Sequence, residues 1–301
     1  MKEFKDKVAV ITGAASGIGR GMAESFAAAG MKIVLSDIEQ PALEKTTALL
    51  TAAGADVLAV VTDVSKADDI ERLAERALDR YGAVHVLCNN AGVGVGAGTM
   101  SWTCTLNDWG WILGVNLMGV IHGIRTFLPI MIKQDTEAHI VNTASFGGLV
   151  ASTTLYSTTK FAVVGLSEGV YSELRRARLK PKISVLCPGH VDTHIVESQR
   201  NRPAELQNDS TVVASPAVAV FREWFAEQVK QGLNPRTVGD AVLAAIRDER
   251  FYILTHPEWM PFIEQRMKDV LSGNNPTLLP VPGIDSLMRK MEALRASSQN
   301  S

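Results

Sequence analysis

Three observations predict an α/β fold, a doubly wound parallel sheet in three layers. Short apolar runs alternate strictly with amphipathic stretches, the runs are continuously apolar rather than alternating, and a glycine-rich turn follows the first of them. Continuous apolar runs are the pattern of parallel strands covered by helices on both faces. The 301 residues include 46% hydrophobic side chains, enough for a large core, with a formal net charge of −2. Near neutrality removes the electrostatic basis for binding nucleic acid or an anionic membrane.

The elements follow in order. "KVAVIT" (7–12) is the first strand, and "GIGRGMAESFAAAG" is a helix closed by Gly30. "KIVLSD" (32–37) is the second strand, "PALEKTTALLTAAG" the next helix, and "DVLAVVTDV" (56–64) the third strand. A helix "IERLAERALDRYG", a strand "VHVLCNNAG" entering a loop, and a long helical region over 106–133 continue the alternation. "HIVNTAS" (139–145), a helix over 156–177 and "KISVLCPG" (182–189) complete the regular part. From 190 to 232 the chain is more polar and helical without a strand; "TVGDAVLAAIRDE" then resumes a helix and "FYILTH" gives a last strand. This order predicts one domain over 1–271 with an inserted lid at about 190–235, followed by an extension over 272–301. The extension carries an amphipathic stretch, "IDSLMRKMEALRA", expected to pack on the body or on a partner subunit, and the closing "SSQNS" is expected to be disordered.

Cys88, Cys104 and Cys187 are odd in number and lack metal-ligand spacing, so neither a disulfide framework nor a metal site is expected. Reduced thiols, a first apolar run too short for a signal segment, and no later run of membrane-span length point to a cytoplasmic protein.

The first turn, "TGAASGIG", places Gly13, Gly17 and Gly19 between a strand and a helix. Glycines there let the backbone approach a pyrophosphate whose charge is met by helix N-terminal amides, the arrangement of a Rossmann-type dinucleotide site. "GVGVGAG" (92–98) follows the fourth strand and reads as a flexible loop beside the site. Asp37 ends the second strand, where a carboxylate accepts from ribose hydroxyls and repels a 2′-phosphate; it also suits a helix N-cap. No arginine follows it in "SDIEQ", and Ser16 rather than a basic residue precedes Gly17, which favours NAD(H) over NADP(H), with Arg20 as the one nearby cation. Within "YSTTK", Tyr156 and Lys160 are four residues apart, so a helix sets phenol and ammonium on one face. An ammonium one turn away is expected to favour the phenolate of a group otherwise titrating near pH 10.

"TGAASGIG", "DV" (63–64), "NNAG" (89–92), the asparagine of "GVNLMG", a serine after the fifth strand, "YSTTK" and "PGHVDT" occur in the order seen in short-chain dehydrogenases/reductases. The chain resembles the compact single-domain branch of that family. The resemblance implies that Tyr156 is the acid/base, Lys160 its helper and a ligand of the nicotinamide ribose, Ser145 the ligand of the substrate oxygen, and Asn116 the fourth member, seating a water in its helix. It further implies cofactor contacts from Gly13, Ser16, Gly17, Ile18, Gly19, Asp37, Ile38, Asp63, Val64, Asn90, Ala91, Gly92, Tyr156 and Lys160. Pro188, Gly189, Val191 and Thr193 are implied at the nicotinamide. The span from Ser145 to Tyr156 is shorter than the resemblance implies, and Thr143, on the same strand face, is an alternative; "SFGG" favours Ser145.

His190 and His194 have no acidic or cysteine partner at ligand spacing and read as lid residues, with no metal. Phe221, Trp224, Phe225, Trp259, Met260 and Phe262 suit either core or a cleft for a bulky secondary alcohol. The whole-chain pattern also resembles bacterial dehydrogenases that oxidise the Cα alcohol of lignin β-aryl ethers. The resulting expectation is an NAD(H)-dependent oxidoreductase of a bulky hydrophobic or aromatic small-molecule alcohol, with steroid or retinoid alcohols and acyl-thioester ketones as alternatives. A non-catalytic nucleotide-binding regulator is the reading from a different class, and it predicts loss of one of the four site residues, all of which are present. The family resemblance implies a homodimer or homotetramer through the helices after strands four and five.

Overall fold

The first apolar run becomes β1 (Val8–Thr12), buried along its whole length, and its side chains alternate between two cores. Ala9 and Ile11 face one, Val8 and Val10 the other, as a strand covered on both sides requires. The computed structural model describes residues 1–94, 100–150, 154–208, 216–280 and 283–299. After β1 come α1 (Gly17–Ala28), β2 (Lys32–Asp37), α2 (Gln40–Ala52), β3 (Val57–Val61), α3 (Ala67–Tyr81) and β4 (Val86–Asn89). Next are α4 (Leu106–Leu113), α5 (Gly119–Gln134), β5 (His139–Thr143), α6 (Thr154–Arg176) and β6 (Lys182–Cys187). The chain closes with α7 (Pro216–Lys230), α8 (Pro235–Asp248), β7 (Tyr252–Leu254), α9 (Met260–Ser272) and α10 (Ile284–Gln299).

All strand pairs are parallel, in the order β3-β2-β1-β4-β5-β6-β7. Val10 lies opposite Val34 on one side and Leu87 on the other, so the winding direction reverses between β1 and β4. That reversal opens a crevice at the carboxyl ends of the strands, where ligands of doubly wound sheets bind. One core packs Met22 and Phe26 of α1 with Val242 and Ile246 of α8; the other packs Leu73 of α3 with Phe127 and Met131 of α5 and Val163 of α6.

Several sequence expectations change in detail. β3 ends at Val61, short of the expected 64, because the Asp63 carboxylate accepts from both the amide and the hydroxyl of Ser65 and turns the chain toward α3. Glu39, not Asp37, stands at the N-cap of α2. The helical region Leu106–Gln134, 29 residues with an 18-residue window of mean hydropathy 1.5, does reach membrane-span length and apolarity, contrary to the expectation. Its apolar side is used inside the fold, where Val120, Ile124, Phe127 and Met131 are buried. A π-helical turn, Gly114–Met118, separates its two halves. The extension does pack on the body: the Trp224 indole of α7 donates to Ser286 Oγ at 2.9 Å, and Lys290 pairs with Glu227. α10 runs through Gln299, so it takes in part of the stretch expected to be disordered; positions 300–301 lie outside the described residues. So do 95–98 of the expected glycine loop, 151–153 of the short loop before Tyr156, and 209–215 of the lid.

Candidate active site

The loops at the carboxyl ends of β1, β4 and β5 are laced together by three short side chains. Thr12 Oγ1 accepts from the amides of Asn90 and Ala91 at 2.9 and 3.1 Å, and Asn90 Nδ2 donates to the carbonyls of Thr12 and Gly13. Thr143 Oγ1 donates to Asn90 Oδ1 at 3.2 Å, which ties in β5. The sequence reading missed Thr12 as a positioning residue, although it stands directly before the glycine turn.

The glycine turn fits a dinucleotide by shape and by unmet hydrogen-bonding capacity. Gly13 has φ +64°, and a Cβ on Gly19 would lie 2.1 Å from the Gly13 carbonyl oxygen. Only a bare backbone allows the helix to start so close to the turn. Ser16 at the N-cap of α1 makes no side-chain cap bond, which leaves the first-turn amides to an incoming phosphate. Asp37 Oδ2 accepts from Ala15 N at 2.9 Å and Oδ1 from Glu39 N at 3.0 Å, so the carboxylate also braces this turn. Burial nevertheless raises its pKa above the ordinary value, outweighing those amides. Ile38, Asp63, Val64, Asn90, Ala91, Gly92, Pro188, Gly189, Val191 and Thr193 border the same cavity of about 1270 Å³. Ile18, Gly17 and Ser16 border it as well, whereas Gly19 sits behind the turn. Its volume exceeds the few hundred to ~1,000 Å³ of an ordinary small-molecule site, as two ligands side by side require.

Asn116 lies in the π-helical turn and is fully buried, with Oδ1 accepting from Val93 N at 2.8 Å and Nδ2 donating to Val93 O at 3.0 Å. Nδ2 also donates to Thr159 Oγ1, on the first part of α6. The perturbed helix thus positions the loop after β4 against the helix that carries Tyr156 and Lys160. A Cβ on Gly92 would lie 3.5 Å from Asn116 Oδ1 and 3.6 Å from Lys160 Nζ, so both groups meet at that glycine.

Lys160 Nζ stands 5.5 Å from the centroid of the Tyr156 ring and donates to Thr143 O at 2.9 Å. Burial lowers its pKa to about 8, so it stays protonated at neutral pH. Tyr156 departs from the expectation: burial raises its pKa, and the opposing influence comes from its hydrogen bond with the Ser145 side chain, not from the ammonium. The physical reason is that an apolar surround disfavours the phenolate more than a lysine about 5 Å from the ring favours it. Ser145 Oγ also accepts from Gly147 N at 3.1 Å and donates to Pro188 O at 3.5 Å. It lies beside Tyr156, whereas the Thr143 hydroxyl is engaged with Asn90, which favours Ser145 over Thr143 as the substrate ligand.

Aromatic side chains form the wall beyond Ser145. Phe146 meets Trp259 edge-on at 4.9 Å and Phe262 at 6.0 Å, and His190 lies between Trp259 and Phe225. Burial and the neighbouring His256 lower the His190 pKa to about 4, so it is a neutral ring of the wall. His194 is exposed and pairs with Glu197. Phe221, Trp224, Phe225, Trp259 and Phe262 all border the cavity, and Met260 does not.

Two anchors of the segment after β6 had no local signal in the sequence. Arg202, 3% exposed at its side chain, pairs with Asp108 of α4 at 2.7 Å, and Asn208 donates to the same oxygen. Arg200 and Asn201 both grip Glu39, 161 and 162 positions earlier, at the end of the cavity nearest Asp37. Arg20, the other cation near the turn, is held by Glu24 at 2.8 Å.

With this geometry in view, comparisons with known proteins agree in kind. Residues 7–204 match the family model described as short chain dehydrogenase. A protein of Lactiplantibacillus plantarum named "CLA biosynthesis dehydrogenase/reductase" is 38% identical over 287 residues, covering 94% of this chain and all of that one. The "C alpha-dehydrogenase" of a Sphingobium species is 34% identical over 279 residues, covering 92% of this chain and 89% of the relative. A short chain dehydrogenase/reductase of Burkholderia phymatum, crystallised with NAD, superimposes with a TM-score of 0.89 at 44% identity, covering 93% of this chain and all of that one.

Proposed function

The chain belongs to the short-chain dehydrogenase/reductase family of oxidoreductases, and from that premise we propose that it interconverts a bulky apolar secondary alcohol and its ketone, with NAD(H) as the cofactor. The observation that carries the reading is the meeting of Ser145, Tyr156 and Lys160 at one wall of a cavity whose other end is the glycine turn, with Asn116 buried behind that wall against Val93 and Thr159. When bound, the oxidised cofactor supplies the hydride acceptor and a further positive charge near the phenol. Tyr156 takes the hydroxyl proton as a base during oxidation and returns it as an acid during reduction. Ser145 donates a hydrogen bond to the substrate oxygen, which bears developing charge in either direction. Lys160 holds a positive charge behind the phenol, and its short bond to Thr143 O fixes where that charge sits.

NAD(H) is favoured over NADP(H) by two carboxylates, Asp37 and Glu39, at the end of the cavity where a 2′-phosphate would lie. The nearby cations offer it little, because Arg20 is paired with Glu24 and Arg200 with Glu39. The bulky apolar substrate class rests on the aromatic wall and is supported by the similarity to the Sphingobium Cα-dehydrogenase. Assembly as a homodimer or homotetramer through α5 and α6 belongs to the same reading, as does division of the chain into a dehydrogenase domain over 1–271, with its lid at about 190–235, and an extension. The direct test is purified protein with NAD and a panel of apolar secondary alcohols, followed by absorbance of the reduced nicotinamide. Tyr156→Phe is expected to abolish that signal while NAD still binds; full turnover by this variant would sink the mechanism.

A further inference from the structure

The wall of the cavity on the substrate side is largely apolar and aromatic, and it also carries two cationic side chains, Arg222 of α7 and Arg266 of α9, that a purely hydrocarbon substrate does not need. Arg266 of α9 borders the cavity, and among the described residues it has no carboxylate partner. Its guanidinium lies 5.0 Å from the centroid of the Phe161 ring, and its other polar contact is the Met267 sulfur at 3.8 Å. Asp269, one turn away, has its oxygens committed to Thr277 N, Thr277 Oγ1 and Gln265 Nε2. Apart from that contact with Met267 Sδ, the guanidinium donors of Arg266 meet no protein anion among the described residues.

The placement of Arg266 follows from the helix. Phe262 precedes it by four residues and shares its face, and Phe262 packs on Phe146, the residue after Ser145. One helical turn and one ring contact put the guanidinium on the order of 10–15 Å from Ser145. Beside it the mouth remains apolar: Val270 and Leu278 border the cavity and are 60% and 92% exposed.

We propose that Arg266 pairs with a carboxylate on the substrate, so that the substrate is an apolar chain bearing the reacting alcohol and, at least about eight carbons away by extended C–C geometry, a carboxylate. The inference rests on the alcohol dehydrogenase reading and narrows its substrate class. The apolar chain lies along the aromatic wall, and the carboxylate stays at the mouth, where water still reaches it and desolvation is slight.

The test compares (ω−1)-hydroxyalkanoates of increasing length with their methyl esters. For wild type the kcat/KM ratio of acid to ester is expected to be about three to five at the longer lengths, through KM, the order of effect that a solvent-exposed ion pair carries. Arg266→Gln brings the ratio near one, and Arg266→Lys restores part of it. A second arm needs no turnover: decanoate and methyl decanoate are titrated against tryptophan fluorescence, because Trp224 and Trp259 border the cavity. Wild type is expected to bind the acid more tightly, and Arg266→Gln to lose that difference. A wild-type ratio near one, or a ratio that Arg266→Gln leaves unchanged, overturns the carboxylate site while leaving the dehydrogenase reading intact. If no alcohol reduces NAD, the dehydrogenase reading fails, and the binding arm decides the carboxylate site separately.

Discussion

Lys160 is a buried cation whose proposed role works against stability, and its removal gives a signed prediction. Its side chain is buried, the residue being only 3% exposed, with one hydrogen bond, to Thr143 O at 2.9 Å. Burial lowers its pKa from 10.5 to about 8. At about 1.36 kcal/mol per pKa unit this corresponds to roughly 3 kcal/mol of unfavourable free energy in the folded protein at pH 7, where the lysine is charged in both states. The sign is fixed by linkage: between pH 8 and 10.5 the unfolded chain holds a proton that the folded one has released, so stability rises with pH across that window. Lys160→Met removes the ammonium and leaves Thr143 O without its donor, which costs about 1 kcal/mol. The variant is expected to be more stable than wild type by about 2 kcal/mol at pH 7, a rise of roughly 3 °C in Tm for a chain of 301 residues. By pH 10 the advantage should have disappeared. Thermal melts and urea titrations at pH 7, 8.5 and 10 measure this, alongside loss of NADH formation. A variant melting at or below wild type at pH 7, or two curves running parallel from pH 8 to 10, would refute the reasoning.

Other sites yield predictions of the same kind. Gly19→Ala places a methyl 2.1 Å from Gly13 O and 2.7 Å from Asn90 Nδ2; the turn must open, and calorimetric NAD affinity is expected to fall at least about tenfold. Arg202→Met leaves Asp108 with Asn208 and the Thr105 amide only, and urea melts are expected to show a loss of about 3 kcal/mol, the lower end for breaking a buried pair. Because Asp108 is held below its ordinary carboxylate value, chiefly by Arg202 against the opposing effect of burial, that difference should persist above pH 4 and shrink as pH falls through the folded value. On the NAD(H) reading, Asp37→Asn removes the carboxylate that would face a 2′-phosphate, so the ratio of NAD to NADP turnover is expected to drop at least about tenfold; an unchanged ratio would place cofactor choice elsewhere.

How much of this could be read in the chain depends on the range of each interaction. Helix α6 brings Tyr156 and Lys160 onto one face by a spacing of four, a local property visible in five letters. The glycine turn announces itself because φ near +64° and close backbone approach exclude side chains. The strand order follows from the βαβ alternation, since right-handed crossovers leave few other arrangements. Arg200 finding Glu39, and Arg202 finding Asp108 94 positions earlier, have no such local signature. Nor does Arg266, which reads in sequence as one more exposed cation on an amphipathic helix.

The sequence by itself determined the doubly wound sheet, the position of the crevice and the four residues gathered beside it, because these rest on periodicity and short spacings that any folded form of the chain must keep. Tertiary structure alone decided the electrostatics and the pocket. The pKa values of Tyr156 and Lys160 are governed by how deeply the fold buries them, and the segment after β6 is held by ion pairs between residues far apart in the chain. Burial and long-range pairing are sums over neighbours drawn from the whole molecule, and spacing along the chain does not record them.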